Sequence, residues 1–354
     1  MQATEQAISA EAFVERVFTA GLAAFDIFGL YIGDKLGLYR ALADGGPATP
    51  EQLAARAGID ARYAREWLEQ QVVSGVLTHN GMGTFELPRP IATVLLEKDD
   101  PNYLGAMARM VTGAGLQLPK VLEAYRTGNG HPWEAYGRDM IEGQADFNRP
   151  FFLNSLVPDC LATVPGIHER LSRPGARVAE IGCGGGWASI AIARGYPGAI
   201  VEGFDPDALS IDLANENARD YGVARQVRFH AVDAGTVAGD RTFDLVAAFE
   251  CIHDLSDPVS VLRSMRSLVA EGGAVLVMDE RVADEFGVAD DVERMFYGFS
   301  ITTCLPNGRA ETPSAATGTV MRAPVLERYA REAGFGGIEV LPIENDFFRF
   351  YLLR

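Results

Sequence analysis

A run of small residues behind an acid, Glu180 to Gly186 (E-I-G-C-G-G-G), is the stretch of this sequence best suited to holding a ligand. Glycines at 182, 184, 185 and 186 let the backbone turn tightly and approach a ligand with no Cβ in the way. The phosphate-binding spacing G-x-G-x-x-G is not met, because its third glycine, counted from Gly182, falls on Trp187. An acid at the strand end would repel a pyrophosphate, and it suits a cationic ligand such as the sulfonium and ammonium of S-adenosylmethionine. Two more acids close apolar runs, Asp205 after Ala199–Phe204 and Asp233 after Val227–Val232. Asp205 lies 19 residues beyond Gly186, near the spacing of an acid that takes ribose hydroxyls. Asp233 and Ala234 would meet the adenine amino edge, with Phe249 flanking the base. A lone strand-end acid ordinarily faces solvent or caps a helix; three in register with a glycine turn call for a ligand.

These groups need a parallel sheet to bring them together. From Arg177 onward apolar strands alternate with helical segments, the pattern of an α/β domain with a mostly parallel sheet. The strands read as Val178–Ile181, Ala199–Phe204, Val227–Val232, Phe243–Cys251 and Ala274–Met278, and Gly337–Pro342 with Phe347–Leu353 read as a closing antiparallel pair. Ligands of such sheets bind beyond the carboxyl ends of the strands.

The stretches E-I-G-C-G-G-G, G-F-D and V-D-A stand in the order used by the class I S-adenosylmethionine-dependent methyltransferases, which this sequence resembles over about Arg173 to Arg354. The resemblance implies a Rossmann-like sheet, with Glu180, Gly182 and Gly184 on the methionine part of the cofactor, Asp205 on the ribose and Asp233 on the adenine. The stretch E-C-I-H-D-L-S-D-P, Glu250 to Pro258, is similar to the I-x-H-D-W-S-D motif of plant-type small-molecule O-methyltransferases and their bacterial relatives. By that resemblance His253 is the general base and Asp279, closing V-L-V-M-D, orients it. The sequence departs from the pattern in three places: the second flanking acid falls on Val320, the lysine before the histidine on Phe249, and the tryptophan after the aspartate on Leu255. Asp254 is expected on backbone amides. A histidine that merely caps the loop is the bland alternative for His253.

The front of the chain carries its own pattern. Thr4 to Leu42 reads as a long helix, apolar around much of its circumference through Phe18, Leu22, Phe25 and Phe28, which asks to be buried and suggests a homodimer. Thr49 and Asp60 read as N-caps of helices ending at Gly58 and Gly75, and Asn80-Gly81 as a type I′ hairpin turn. The expected layout is a mostly helical, winged-helix-like domain over 1–90, a helical connector over 91–172 with loops at Arg126–Pro132 and around Pro150, and the cofactor domain over 173–354. Trp133 and Phe147 of the connector, with Tyr297 and Met321 of the segment after the fifth strand, are candidates for an apolar acceptor pocket, against a bland reading as core.

Bulk properties bound the function. The net charge of −17 argues against nucleic acid or an anionic membrane as main partner. Between Pro47 and Pro90 four arginines face five acids, a poor footprint for DNA. Four cysteines without a C-x-x-C pair suggest neither disulfides nor a metal site. No secretory signal is visible, and the apolar run from Ala20 to Leu38 is interrupted by Asp26, Asp34 and Lys35, so a reduced cytoplasmic protein is expected. The expected activity is methyl transfer from S-adenosylmethionine to oxygen of a small, hydrophobic or aromatic molecule. The alternatives are a ligand-sensing winged-helix regulator and transfer to N, C or S without a base.

Overall fold

The computed structural model describes residues 9–237, 242–287 and 290–354. Its chain divides into two compact units, residues 1–112 and 113–354.

In the first unit, α1 (Ala10–Lys35), α2 (Leu38–Gly45), α3 (Pro50–Ala57), α4 (Ala61–Val73), the short strands β1 (Thr78–His79) and β2 (Phe85–Glu86), and α5 (Arg89–Leu96) follow in order. Thr49 and Gln52 form a reciprocal capping box on α3, and Asp60 caps α4 by accepting from the N–H groups of Arg62 and Tyr63. The long N-terminal helix stops short of its expected end at Leu42: Gly37 takes φ +65° and starts α2. Its expected start at Thr4 lies outside the described residues.

The hairpin also differs from expectation. His79 pairs with Phe85, leaving Asn80 to Thr84 as the loop, and the Asn80 carboxamide oxygen accepts from Met82 and Thr84. That side-chain cap supports a wider loop than a two-residue type I′ turn.

Helix α1 seats through two glycines. A Cβ on Gly33 would press into the Tyr39 ring and come within 2.6 Å of Trp67, and the Trp67 indole donates to the Gly29 carbonyl at 3.0 Å. Its opposite side is left in solvent, with Phe18 67% and Phe25 69% exposed.

The second unit is built on a seven-stranded sheet. The helices α6 (Ala106–Leu116, in which the division between units falls), α7 (Leu118–Thr127), α8 (Arg138–Phe151) and α9 (Pro165–Leu171) lead into β3 (Arg177–Ile181). Then come α10 (Trp187–Gly195), β4 (Ile200–Asp205), α11 (Ala208–Asp220), β5 (Val227–Ala231), β6 (Phe243–Phe249), α12 (Pro258–Leu268), β7 (Val269–Glu280), α13 (Asp291–Phe299), α14 (Leu305–Gly308), α15 (Ala323–Glu332), β8 (Ile338–Val340) and β9 (Phe348–Leu353). The order across the sheet is β5-β4-β3-β6-β7-β9-β8, parallel except at β9, which pairs antiparallel with both neighbours. Strand periodicity sorts β6: Leu245, Ala247 and Phe249 face one core layer with Trp187 and Phe152, while Val246 and Ala248 face the other with Leu262 and Leu326.

Pro150 lies inside α8 instead of in a loop, and a π-helical turn over Phe152–Cys160 continues it. The Asn154 side chain donates to the Pro150 carbonyl at 2.8 Å, re-satisfying backbone in this irregular stretch.

The Gly33 seat gives a direct test. Gly33→Ala should cost the N-terminal unit about 1–3 kcal/mol by overpacking, read as a lower urea midpoint by circular dichroism; an unchanged midpoint would mean that α1 is not seated there.

Candidate functional site

The site lies where β3, β4, β6 and β7 end. At β3 the chain leaves the sheet through Gly182, Gly184 and Gly186, with φ of +67°, +47° and +79°. The N–H groups of Gly182 and Cys183 both reach the Phe204 carbonyl, at 2.8 and 3.2 Å, tying the turn to β4. An added Cβ at Gly186 would strike the Phe229 ring at 2.6 Å, whereas at Gly184 it would meet nothing within 4 Å. The turn is therefore pressed against its core on one side and open on the other.

Two of the strand-end acids close on this turn. Asp205 accepts from the Gly184 N–H through one oxygen and from the Asp207 N–H through the other, each at 2.9 Å. Burial pushes its carboxyl up to about 6. Glu180 accepts from the Ser189 hydroxyl of α10, and burial raises it to about 8, with Asp205 adding repulsion. Asp233, two residues beyond β5, is exposed and caps the turn at Ala234–Thr236, accepting from Gly235 at 2.8 Å. Ala234 is buried in the α12 layer. The Phe249 ring packs in the opposite layer, 6.0 Å from Phe152.

At β6 the loop Glu250–Asp254 folds back against the glycine turn. The Cys251 thiol donates to the Ile181 carbonyl at 3.2 Å, and a Cβ on Gly182 would sit 2.7 Å from Cys251. A 3₁₀ turn, Ile252–Asp254, then carries His253 over the end of β7. Its Nδ1 is 2.8 Å from Asp279 Oδ1 and 2.9 Å from Glu280 Oε2, and its Nε2 is 3.4 Å from Asp254 Oδ1. The imidazole thus touches carboxylates on both edges, not backbone alone. Asp254 lies against the ring, and its Oδ1 has no hydrogen-bond partner.

One Nδ1–H cannot serve two carboxylates. Burial and repulsion from Asp279 push Glu280 well up, while His253 holds Asp279 low against the pull of burial. Glu280 is therefore the member that keeps a proton. Burial alone would drive protons off His253, but Glu280, Asp279 and Asp254 outweigh it and hold the imidazole well above its ordinary value. Glu250 is raised to about 8, by burial first, with His253 opposing and Asp279 adding to it. The Cys304 thiol, buried beside this group, is pushed up to about 12. Among the described residues His253-Asp254-Cys304 and His253-Asp279-Glu280 are each compact enough to hold a cation, a proximity the cysteine spacing did not disclose.

The proposed pocket residues scatter. Met321 is 2% exposed, in the core cluster with Leu326 and Tyr329 of α15. Tyr297 receives a hydrogen bond from Arg322 at 3.1 Å. Trp133 sits 6.2 Å from Tyr136, whose hydroxyl donates to the Thr302 carbonyl at 2.8 Å. Phe147 is half-buried on α8 and precedes Asn148, which donates to the Glu250 carboxylate.

Glu250, Glu280, Asn148 and Cys304 were missed from sequence. Strand alternation puts Asp279 and Glu280 on opposite faces, so only the seating of His253 across the strand end reveals that both reach it.

Residues 172–299 match a family model described as a methyltransferase domain, and residues 24–96 match one described as an Rv2258c-like winged HTH domain. The chain carries a methyltransferase domain, preceded in sequence by a winged helix. The chain is 34% identical over 109 residues to the ubiquinone biosynthesis O-methyltransferase of Stutzerimonas stutzeri, covering 31% of this chain and 46% of the relative. It is 37% identical over 99 residues to that of a Methylobacterium species, covering 28% and 39%. The matches thus span less than half the length of these curated relatives. Similar folds extend over nearly the whole chain in the mitomycin 7-O-methyltransferase MmcR (TM-score 0.70, 18% identity, 97% of this chain and 98% of the other) and human N-acetylserotonin methyltransferase in complex with S-adenosylmethionine (0.68, 16%, 99% and 99%). A similar fold is also seen in RosA of Streptomyces davawensis, a dimethyltransferase (0.63, 18%, 98% and 99%).

The charge pattern sets an unusual pH response. Glu180, Glu250, Asp205 and His253 all bind protons more tightly when folded, so each favours the folded state at low pH and loses that contribution as pH rises through its folded value; Asp279 acts oppositely, at low pH. The urea midpoint of the ligand-free protein should fall from pH 6 to pH 9, and Glu180→Gln should flatten part of that slope. A midpoint that rises over this range would contradict the burial of these acids.

Proposed function

We propose that this protein transfers a methyl group from S-adenosylmethionine to a hydroxyl of a small, apolar or aromatic molecule. The observation that carries this reading is the Asp279–His253 pair at 2.8 Å on the loop that abuts the glycine turn. The residues present suit the cofactor: an open backbone at Gly184, a carboxylate held beside it at Asp205, and Glu180 and Asp233 at the flanking ends. When bound, S-adenosylmethionine supplies an electrophilic methyl carbon on a sulfonium.

Glu180, Gly182 and Gly184 hold the methionine part in this reading, Asp205 the ribose hydroxyls, and Asp233 with Ala234 the adenine edge. The protein's main work is alignment, since an in-line displacement needs acceptor, methyl and sulfur collinear. His253 takes the acceptor proton at Nε2, while Asp279 keeps Nδ1 protonated and the ring oriented. The segment around Cys304 and Gly308 covers the histidine, with the Asn307 side chain on the Asp254 carbonyl at 3.5 Å and Ser256 on the Gly308 carbonyl at 3.0 Å, so acceptor binding displaces that cover. Trp133, Phe147 and Tyr297 remain candidates for the walls.

The dimerisation reading rests on α1. By length and composition this helix could cross a membrane, yet Asp26 accepts from the Ser74 hydroxyl at 2.5 Å and the Gly29–Gly33 face is packed on its own unit. A second copy of the chain is the better cover for the exposed stripe at Phe18, Leu22 and Phe25, in a protein of the cytoplasm. The winged helix is a poor DNA reader in this account: Arg62 pairs with Glu66 at 2.5 Å, Arg65 with Glu51 at 3.5 Å, and Arg56 is bound to the Gly46 carbonyl at 2.7 Å. The regulator reading keeps the family match of that domain as its support, and a specific, salt-sensitive shift of promoter DNA would favour it.

Two outcomes are expected. In calorimetry S-adenosylhomocysteine binds the wild type, and Asp205→Ala weakens it about 10-fold or more, roughly 1.4 kcal/mol. His253→Ala lowers kcat roughly 10²–10⁴-fold without losing the cofactor, and wild-type kcat/KM rises with pH above neutrality because the imidazole must first shed its Nε2 proton. A small effect of His253→Ala would instead favour transfer to N, C or S. Separately, Phe18→Asp with Phe25→Asp should convert a dimer into a folded monomer by light scattering; an unaltered mass would exclude α1 as the contact.

A further inference from the structure

Glu250 is the acid that the proposed chemistry leaves unused, and the fold carries it at a cost. Its N–H still bonds the Met278 carbonyl at 2.8 Å, but its φ is +55°, in the left-handed region that L-residues avoid. Among the described residues only Ala316 shares that condition without being glycine. The half-buried side chain lies close to two other acids, Asp279 and Asp254, with His253 as the opposing charge. Its recorded hydrogen-bond partner is the Asn148 amide of α8. A glycine here would relieve the backbone and a glutamine would satisfy Asn148 equally well. Strain of this kind, retained beside a reacting group, points to a task for the side chain.

The position defines that task. Glu250 is the first residue beyond β6 and His253 lies on the 3₁₀ turn that follows, so both stand at one strand end beside the glycine turn. Building on the methyltransferase reading above, we infer that Glu250, oriented by Asn148, binds a second hydrogen-bond donor on the acceptor, a hydroxyl or amine adjacent to the hydroxyl that His253 deprotonates. The favoured acceptors are then ortho-dihydroxy and ortho-amino-hydroxy arenes. Acceptors bearing a carboxylate are disfavoured, because a further negative charge would join Asp254 and Asp279 at this strand end.

The test uses the full chain saturated with S-adenosylhomocysteine and titrated with paired arenes, phenol against catechol and 2-aminophenol, with initial rates measured in parallel using S-adenosylmethionine. The wild type should favour the ortho-substituted member by about 10-fold or more in affinity and in kcat/KM. Glu250→Gln should reduce that preference to about 3-fold or less, with the affinities for S-adenosylmethionine and S-adenosylhomocysteine unchanged. Should the glutamine variant fold poorly, Glu250→Gly removes the same carboxyl while relieving the φ; it should melt no lower than wild type and show the same lost preference. A wild type that binds no ortho-substituted arene better than phenol overturns the inference, as does a preference that survives in both variants. Loss of S-adenosylmethionine affinity with S-adenosylhomocysteine affinity intact would assign Glu250 to the donor's sulfonium and overturn it too. Failure of wild type to bind S-adenosylhomocysteine is a distinct result, which removes the methyltransferase reading itself.

Discussion

The organising constraint is one buried imidazole shared among acids. Asp279 and Glu280 meet it on one nitrogen and Asp254 faces the other, all at the carboxyl edge of a parallel sheet. Carboxylates taken out of water this way repel one another and lose hydration; a protonated histidine in their midst, and a proton retained on Glu280, make the group tolerable. Removing the positive partner would leave uncompensated charge, so the histidine supports the architecture as well as the proposed chemistry. In that proposed reaction the same arrangement would make His253 a strong base that starts protonated. It gains thermodynamic reach for a hydroxyl proton and gives up availability at neutral pH.

The sheet makes this cluster possible because its strands end together. β6 and β7 are parallel neighbours in register through Phe249 and Met278, so the loop after one and the last residues of the other share a ledge. β3 adjoins β6 on its other side, which brings the glycine turn into contact with Cys251. The two halves of the proposed reaction, cofactor cradle and proton acceptor, are thus separated by a single residue's contact. The local strains follow: three glycines with positive φ at the turn, and one glutamate held there without the excuse of lacking a Cβ.

The N-terminal unit obeys a different logic. Its helix α1 is close-packed where glycines replace side chains and apolar where it is exposed among the described residues. The arginines of its winged helix are occupied by neighbouring acids and carbonyls, leaving little positive field for a phosphate backbone. A winged helix has here the form of a DNA reader with the electrostatics of a packing module.

How much of this was written in the sequence depends on the range of the interaction. Caps at Thr49 and Asp60, the glycine turn, the alternation of strands and helices and the adjacency of Asp205 to that turn are short-range or periodic features, and each was legible from residue type and spacing. Strand faces were legible too, as the division of Leu245 and Ala247 from Val246 and Ala248 along β6 shows. The break of the first helix at Gly37 and the continuation of α8 through Pro150 turned on backbone compensation that composition does not record. Glu280 beside His253, the Asn148 contact with Glu250 and the burial of Cys304 join residues 27, 102 and 51 positions apart. Nothing in a strand's two-residue repeat or a helix's pitch encodes such meetings. They are decided only when the sheet closes and its strand ends come to lie side by side.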